Sequence, residues 1–331
     1  MREGNGFPGG ALDTTEREPL FPSYWAAGYA RPRLAATQSR RTLAVAVLLF
    51  LLTVISTLAV GAQFARDYAH GVAPFTDEFD PWQSFATPRL LLAGLPFSFT
   101  LMTILLAHEL GHFFACRYYG IAASYPYFIP FPTIFGTMGA FIRIRSPIVN
   151  RKALFDVGIS GPVVGFIFAV PALALAIAYS KVVPGAQAGA EVSFGTPLLM
   201  ELFIRLLRPG IDAHSLLLHP IGQAAWVGIF CTGLNLMPIG QLDGGHILYS
   251  LSSQNHRRIS LLAVVALLVL GYTGWRGWFV WAALSLLFGF RHPMLLDRWE
   301  PIDAKRRAWA LVAFAVFVLC FIRVPIVIHG N

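Results

Sequence analysis

Residues 90–112 read LLLAGLPFSFTLMTILLAHELGH, and this stretch decides the fold. Its first eighteen residues, 90–107, carry no charge. About twenty such residues let an α-helix cross the hydrocarbon core of a bilayer. The run then meets His108, Glu109 and His112. An ionisable side chain in a lipid-exposed helix costs about 2.5–3.5 kcal/mol, so three polar groups within one helical turn and a half need a compensating partner. Histidines at i and i+4 share one helical face, and their imidazoles can converge on a single metal ion. The glutamate between them can stand beside a water on that ion and take its proton.

Composition agrees with a chain that lives in lipid. Of 331 residues, 56% are hydrophobic, 14% aromatic and 13% charged, and the mean hydropathy is +0.61. A water-soluble domain carries about a quarter charged residues, and a disordered chain is far less hydrophobic. Three cysteines, Cys116, Cys231 and Cys320, cannot build a disulfide framework or a cysteine-only zinc site. The net charge of +8 is concentrated in clusters at Arg31–Arg41, Arg143–Lys152, Arg257–Arg258 and Lys305–Arg307, each beside an apolar stretch. That is the pattern of cytoplasmic loops in a membrane protein. A nucleic-acid binder would instead gather its charge on one basic face of a folded domain, so no nucleic acid is expected.

The expected fold is an all-α polytopic membrane protein of about seven transmembrane helices, six to eight, with a membrane-associated β-hairpin after the second. Residues 1–40, with Gly, Pro and scattered charges, read as a disordered cytoplasmic tail. Residues 41–62 read as a first transmembrane helix, followed by an acidic outer loop at 63–88. The second span runs over 90–116, with Pro96 kinking its start. In segment 121–150, Pro126, Pro130 and Pro132 forbid a continuous helix, while Gly136, Gly139 and the alternation from Phe141 to Arg145 suggest strands. A third span covers 153–179. The mixed stretch 181–222 follows, with 198–207 in the interface. The fourth span, from 223, is broken by Pro238 and Gly240 and continues through Asp243 towards 251. Residues 259–328 hold the C-terminal transmembrane helices: two short helices split around Arg276, then a last span at 308–328. Trp275, Trp278 and Trp281 suit the interfacial aromatic belt. Alternating the spans puts the basic clusters on the side of a cytoplasmic amino terminus. No Ser/Arg-rich organelle leader is evident, and a bacterial plasma membrane is the expected location, with a plastid or Golgi membrane the alternative.

A zinc site of the HExxH kind needs a third protein ligand and keeps one position for water. Asp156 lies near a basic cluster and can pair with Arg151 or Lys152. Asp243 lies in a helix broken by Pro238 and glycines, and such a break is tolerated at membrane depth where it lines a cavity. This favours Asp243. His246, three residues further on, is placed to orient the ligand set from behind. His214, His219, His256 and His292 read as solvated loop residues. Cys116 reads as packing, since a thiol on the metal would close the position water needs.

His108-Glu-x-x-His112 on one span and Asn235-x-x-Pro238-x-x-x-Leu242-Asp243-Gly244 on a later one together resemble the site-2 protease family of intramembrane zinc metalloproteases. The resemblance also takes in residues 136–140, similar to that family's membrane-associated hairpin, and 156–162, similar to its third core helix. It implies a metalloprotease core over 89–251, one Zn2+ per chain held by His108, His112 and Asp243, and Glu109 as general base and proton donor. It further implies a metalloendopeptidase whose substrate is a transmembrane segment of another protein, received as an added strand by the hairpin. Asn235, Gly136 and Gly139 would then help bind substrate or the oxyanion. The sequence departs from the family in one respect. The roughly forty residues between the third and fourth spans are too few for the PDZ domain that many members carry there. Two other classes fit the sequence less well. A metal transporter would need polar residues across several spans, and the others are nearly bare. An inactive relative would have lost Glu109 or a ligand, and all four residues are present.

Overall fold

Ser39 opens the first helix, α1 (Arg40–His70), by accepting a hydrogen bond from the Arg41 N–H at 3.2 Å. The helix closes on Gly71, whose left-handed φ of 76° suits glycine at a helix end. The structure, a computed structural model, describes residues 39–74, 84–85, 88–131, 134–148, 150–184, 192–287, 295 and 301–328. The expected tail at 1–40 lies outside the described residues except at its end, as does His292. At 31 residues, α1 runs eight past the expected end of the first span and takes in the start of the expected loop. The extension holds because Gln63 and Asp67, both buried, share a 2.9 Å hydrogen bond one turn apart.

The second apolar run is two helices, α2 (Pro88–Ala93) and α3 (Leu95–Tyr118), broken at Gly94. Gly94 crosses Gly61 of α1 so closely that a Cβ on Gly94 would overlap the Leu58 carbonyl, the close approach that small residues allow in membranes. Strands β1 (Tyr127–Pro130) and β2 (Thr137–Phe141) follow as an antiparallel pair, with Tyr127 opposite Phe141 and Phe128 opposite Ala140. The pair is pinned to α1: the Ser56 hydroxyl donates to the Gly136 carbonyl at 2.7 Å, and Phe50 meets Phe128 edge-on.

Asn150 caps α4 (Arg151–Tyr179) by accepting from the Ala153 N–H at 2.8 Å. The segment after it holds β3 (Lys181–Val182), β4 (Val192–Phe194), the amphipathic α5 (Leu198–Leu207) and β5 (Leu216–Leu217), with β3 paired to β5. Then come α6 (Pro220–Asn235), α7 (Asp243–Leu251), α8 (Ser253–Thr273), α9 (Gly277–Leu287), α10 (Ala304–Cys320) and β6 (Ile326–Ile328), which pairs antiparallel with β4. One main core, built around Phe97, Leu101, Phe155, Leu173, Trp226 and Trp278, lies among α3, α4, α6 and α9.

Among the described residues, α1, α3, α4 and α8 are long and apolar enough to cross a membrane, and the protein is a mostly helical integral membrane protein. Three expectations about the C-terminal part change. The split around Arg276 gives one helix of 21 residues and one of 11, because α8 starts at Ser253. The last helix stops at Cys320 rather than 328, since the chain turns extended before Pro325 and joins β4. Trp278 is core rather than interfacial belt: it is buried, and its indole N–H donates to the Arg323 carbonyl at 2.8 Å.

Candidate metal centre

Helix α3 carries His108 and His112 on the face turned towards α4 and α6, and glycines make room for them. A Cβ on Gly161 would overlap the His112 imidazole, and one on Gly165 would sit 3.1 Å from the His108 Cβ. Gly111 meets the Ser160 carbonyl just as closely. The small-residue run of α4 is therefore the floor on which the two rings rest. His112 Nδ1 lies 2.7 Å from the Val157 carbonyl, and since a carbonyl only accepts, Nδ1 carries the proton. In the neutral ring this leaves Nε2 an acceptor.

Asp243 comes from the other side. Pro238 and Gly240, the latter at φ 53°, interrupt the polypeptide after α6. The chain restarts as α7 with Asp243 as its first residue. Asp243 Oδ2 stands 3.3 Å from His108 Nε2 and 3.3 Å from His112 Nε2, and the two Nε2 atoms are 3.1 Å apart. The Asn235 amide nitrogen lies 3.2 Å from His108 Nε2, a donor that suits an unprotonated Nε2. Acceptors thus converge on one point, an arrangement that a cation resolves. A tetrahedral zinc ion about 2.0–2.1 Å from each ligand would separate them by about 3.3 Å, so the donor set fits. These three are the one such metal-binding group among the described residues.

Glu109 is more than nine-tenths buried beside them, and the Ile142 N–H donates to its carboxylate. A cavity of about 210 Å³ opens on the site, lined by His108, Glu109, His112, Asn235, Asp243 and His246 with Phe141 and Ile142 of the hairpin side.

Other expected residues are placed elsewhere. Gly136 (φ 74°) faces α1, where a Cβ would lie 2.8 Å from the Thr57 Cα. Gly139 (φ 102°) has open space at its Cβ position, and neither glycine lines the cavity. The positive φ values are ones that glycine adopts without strain, Gly136 just before β2 and Gly139 within it. Asp156, placed by the sequence near Arg151 and Lys152, pairs with Arg306 of α10 at 2.5 Å, while Arg151 bonds the Ser250 and Leu251 carbonyls. Cys116 is packing, in a small apolar cluster with Ile121, Ala153 and Val157. His219 is not simply solvated: its Nδ1 caps α6 by accepting from the Ile221 N–H at 3.3 Å. His256 is not solvated either but 2% exposed. The Val157 carbonyl was beyond sequence reasoning, since a backbone group leaves no residue signature.

The sequence pattern of peptidase family M50 matches residues 96–271, from the start of α3 to the end of α8. The chain belongs to peptidase family M50. Curated relatives include "Probable zinc metalloprotease EGY1, chloroplastic" of Arabidopsis thaliana, 32% identical over 220 residues that cover 64% of this chain and 40% of that protein. The protein of that name from Oryza sativa subsp. japonica is 33% identical over 217 residues, 62% of this chain and 37% of its own. "Probable zinc metalloprotease EGY2, chloroplastic" of Arabidopsis thaliana is 31% identical over 179 residues, 52% and 31% of the two chains. The chain thus spans about two fifths or less of the length of these curated relatives. No solved structure matches it. Helices α1 and α10 and the hairpin's anchor on α1 lie outside the M50 match.

Proposed function

We propose that this chain is an intramembrane zinc-dependent endopeptidase that cuts peptide bonds in or near transmembrane segments of other membrane proteins. The observation that carries the reading is the meeting of His108 Nε2, His112 Nε2 and Asp243 Oδ2 within 3.3 Å beside a buried Glu109. His108, His112 and Asp243 would hold one zinc ion, which when bound supplies Lewis-acid activation of water and of the scissile carbonyl. The Glu109 carboxylate takes the proton of the attacking water and returns it to the leaving amine. The Val157 carbonyl keeps the proton of His112 on Nδ1 and so fixes the ring's direction. The Asn235 amide is a donor for developing negative charge on the substrate oxygen. His246, against Gly158 and on the cavity wall, steadies the ligand set.

A helical substrate has its amides in its own hydrogen bonds and must unwind before it is cut. Residues 140–142, next to Glu109 in the cavity wall, support the hairpin as the edge that receives the unwound segment as an extra strand. The proposal takes residues 89–251 as the protease core, with 41–62 an added first helix and 259–328 the C-terminal helices. It takes the roughly forty residues between α4 and α6 as too short for a PDZ domain.

The proposal includes seven crossings, with the amino-terminal end of α1 on the cytoplasmic side together with the hairpin and the basic clusters. A bacterial plasma membrane, expected from the sequence, has no support from relatives named as chloroplastic, and the orientation is the part retained. Counted along α3, His112 sits about 9 Å inside the basic end, at about 1.5 Å per residue, within reach of water from that side.

The test compares detergent-purified wild type with Glu109→Gln for zinc content by mass spectrometry and for cleavage of a single-span model substrate. About one zinc in both, with cleavage by the wild type alone, is the expected result. Absence of zinc from both proteins after purification in a zinc-replete, chelator-free buffer would sink the reading.

A further inference from the structure

The polypeptide between α6 and α7 must break its helix to present Asp243, and the break exposes backbone groups inside the protein. Pro238 lacks an N–H, and Gly240 sits at a positive φ of 53°. Two buried polar side chains of α8 meet the freed groups. His256, 2% exposed, has Nε2 3.1 Å from the Gly240 carbonyl, to which it donates. Ser260, fully buried, donates from its hydroxyl to the Pro238 carbonyl at 3.1 Å and accepts from the Gly240 N–H at 3.3 Å. The two residues are one turn apart and so lie on one face of α8.

The turn they hold is coupled stiffly to the ligand. A Cβ on Gly245 would lie 2.7 Å from the Ile239 carbonyl, and one on Gly244 would overlap the Leu236 carbonyl. The first turn of α7 therefore rests on the backbone of residues 236–240 without a side chain between. Asp243 is the residue that begins that turn. The His256 ring also packs edge-on against Tyr249 of α7, ring centres 5.3 Å apart, so it touches both the break and the helix it launches.

We infer that His256 and Ser260 are positioning residues of the centre: they fix the Pro238–Gly240 break and through it the place of the Asp243 carboxylate. The inference rests on the metalloprotease reading for its kinetic consequence, though not for its metal-binding one. Residues that orient a ligand typically change metal affinity or activity 10–100-fold when removed, and a misplacement of about 1 Å can cost about 100-fold in rate.

The experiment uses the full chain in detergent, with zinc as the probe. His256→Phe keeps the packing on Tyr249 and removes the donor, and His256→Gln restores a donor of similar reach. Ser260→Ala is the small-volume variant should the aromatic exchange disturb folding, with Ser260→Thr as its conservative partner. Zinc affinity is read by competition with a chelator, and kcat and KM with the single-span substrate. The expected result is a 10–100-fold weaker zinc affinity and a similar fall in kcat for His256→Phe and Ser260→Ala, with KM within about twofold and recovery in Gln and Thr. Wild-type zinc affinity in both disruptive variants would overturn the inference. So would an affinity loss that the conservative variants do not recover and that only follows a lower unfolding temperature. If the wild type bound zinc without cutting any substrate, the protease reading would fail while the affinity series still decided the role of His256 and Ser260.

Discussion

His112 is the residue on which most of the site's geometry turns. Its Nδ1 is held by the Val157 carbonyl, its ring lies on Gly161, and its Nε2 faces Asp243. Replacing Gly161 by alanine puts a methyl group into the imidazole, so the ring must move or α4 must withdraw. The expected outcome for Gly161→Ala is a loss of zinc affinity of at least tenfold and of activity of about 100-fold, the scale of an ångström-sized misplacement. Chelator competition and single-turnover cleavage check it, and a variant indistinguishable from wild type would mean that the floor is not needed. His108, Glu109 and His112 were legible because i, i+4 spacing survives in any helix, and Asp243 because Pro238 announces a broken one. His256 was not. Two arginines follow it in the sequence, and only the fold of α8 against the Pro238–Gly240 break buries it. The glycine character of Gly136 and Gly139 reports φ values of 74° before β2 and 102° within it, and in the sequence that backbone signal looks the same as a binding loop's.

Between elements, polar contacts fasten α1 and α10, which lie outside the M50 match, to the core. Ser56 ties α1 to the hairpin through the Gly136 carbonyl. Losing that one buried hydrogen bond in Ser56→Ala should cost about 1 kcal/mol, seen as a lower unfolding temperature and as faster proteolysis between residues 131 and 137. At the other end, Arg306 of α10 grips both oxygens of Asp156 on α4, at 2.9 and 2.5 Å, and also meets Asp303 and the Tyr119 hydroxyl. Neither Asp156 nor Arg306 is fully buried, so Arg306→Gln is expected to destabilise by about 1–2 kcal/mol, below the value for a buried pair. A double-mutant cycle with Asp156→Asn isolates the coupling, and additive effects would deny the contact its role. The cluster also predicts a pH effect. Burial, and then its hydrogen bond to Asp156, push the Tyr119 hydroxyl from 10.0 up to about 12. The neutral phenol is thus favoured in the folded state, and its contribution is complete below pH 10 and lost as pH rises towards 12. Between pH 9 and 11.5 the wild type should lose more unfolding temperature than Tyr119→Phe; parallel curves would contradict the assignment.

Across the whole molecule, contacts between distant parts of the chain agree on which helix ends share a side. Arg306 at the start of α10 meets Asp156 near the start of α4 and Tyr119 at the end of α3. Arg151 bonds the carbonyls at the end of α7, so those ends lie together. At the opposite side, the Tyr68 hydroxyl near the end of α1 donates to the Tyr179 carbonyl at the end of α4. There too β4 pairs with β6 after α10, and Trp278 at the start of α9 bonds the Arg323 carbonyl. These joined ends agree with the proposed path, in which α1, the α2–α3 pair, α4, the α6–α7 pair, α8, α9 and α10 would each cross once, four of them (α1, α3, α4 and α8) being long and apolar enough to do so alone. The basic clusters of the sequence fall at the ends gathered by Arg306 and Arg151, as the positive-inside tendency would have it for the proposed path. What the sequence could not show is how the eleven-residue α9 is held: Trp278 at its start donates to the Arg323 carbonyl and ties it to the segment after α10. The path is testable with single cysteines placed in a background where Cys116, Cys231 and Cys320 are replaced by alanine. Gln254→Cys and Lys305→Cys should react with a membrane-impermeant maleimide from the same side as Ser39→Cys, and Asp212→Cys and Arg276→Cys from the other. Arg276 is the decisive position, because it lies between α8 and α9. If Arg276→Cys reacted from the side of Gln254→Cys, α8 and α9 would enter and leave the bilayer on one face. The crossings would then number five, and the agreement between charge and contact would be coincidental.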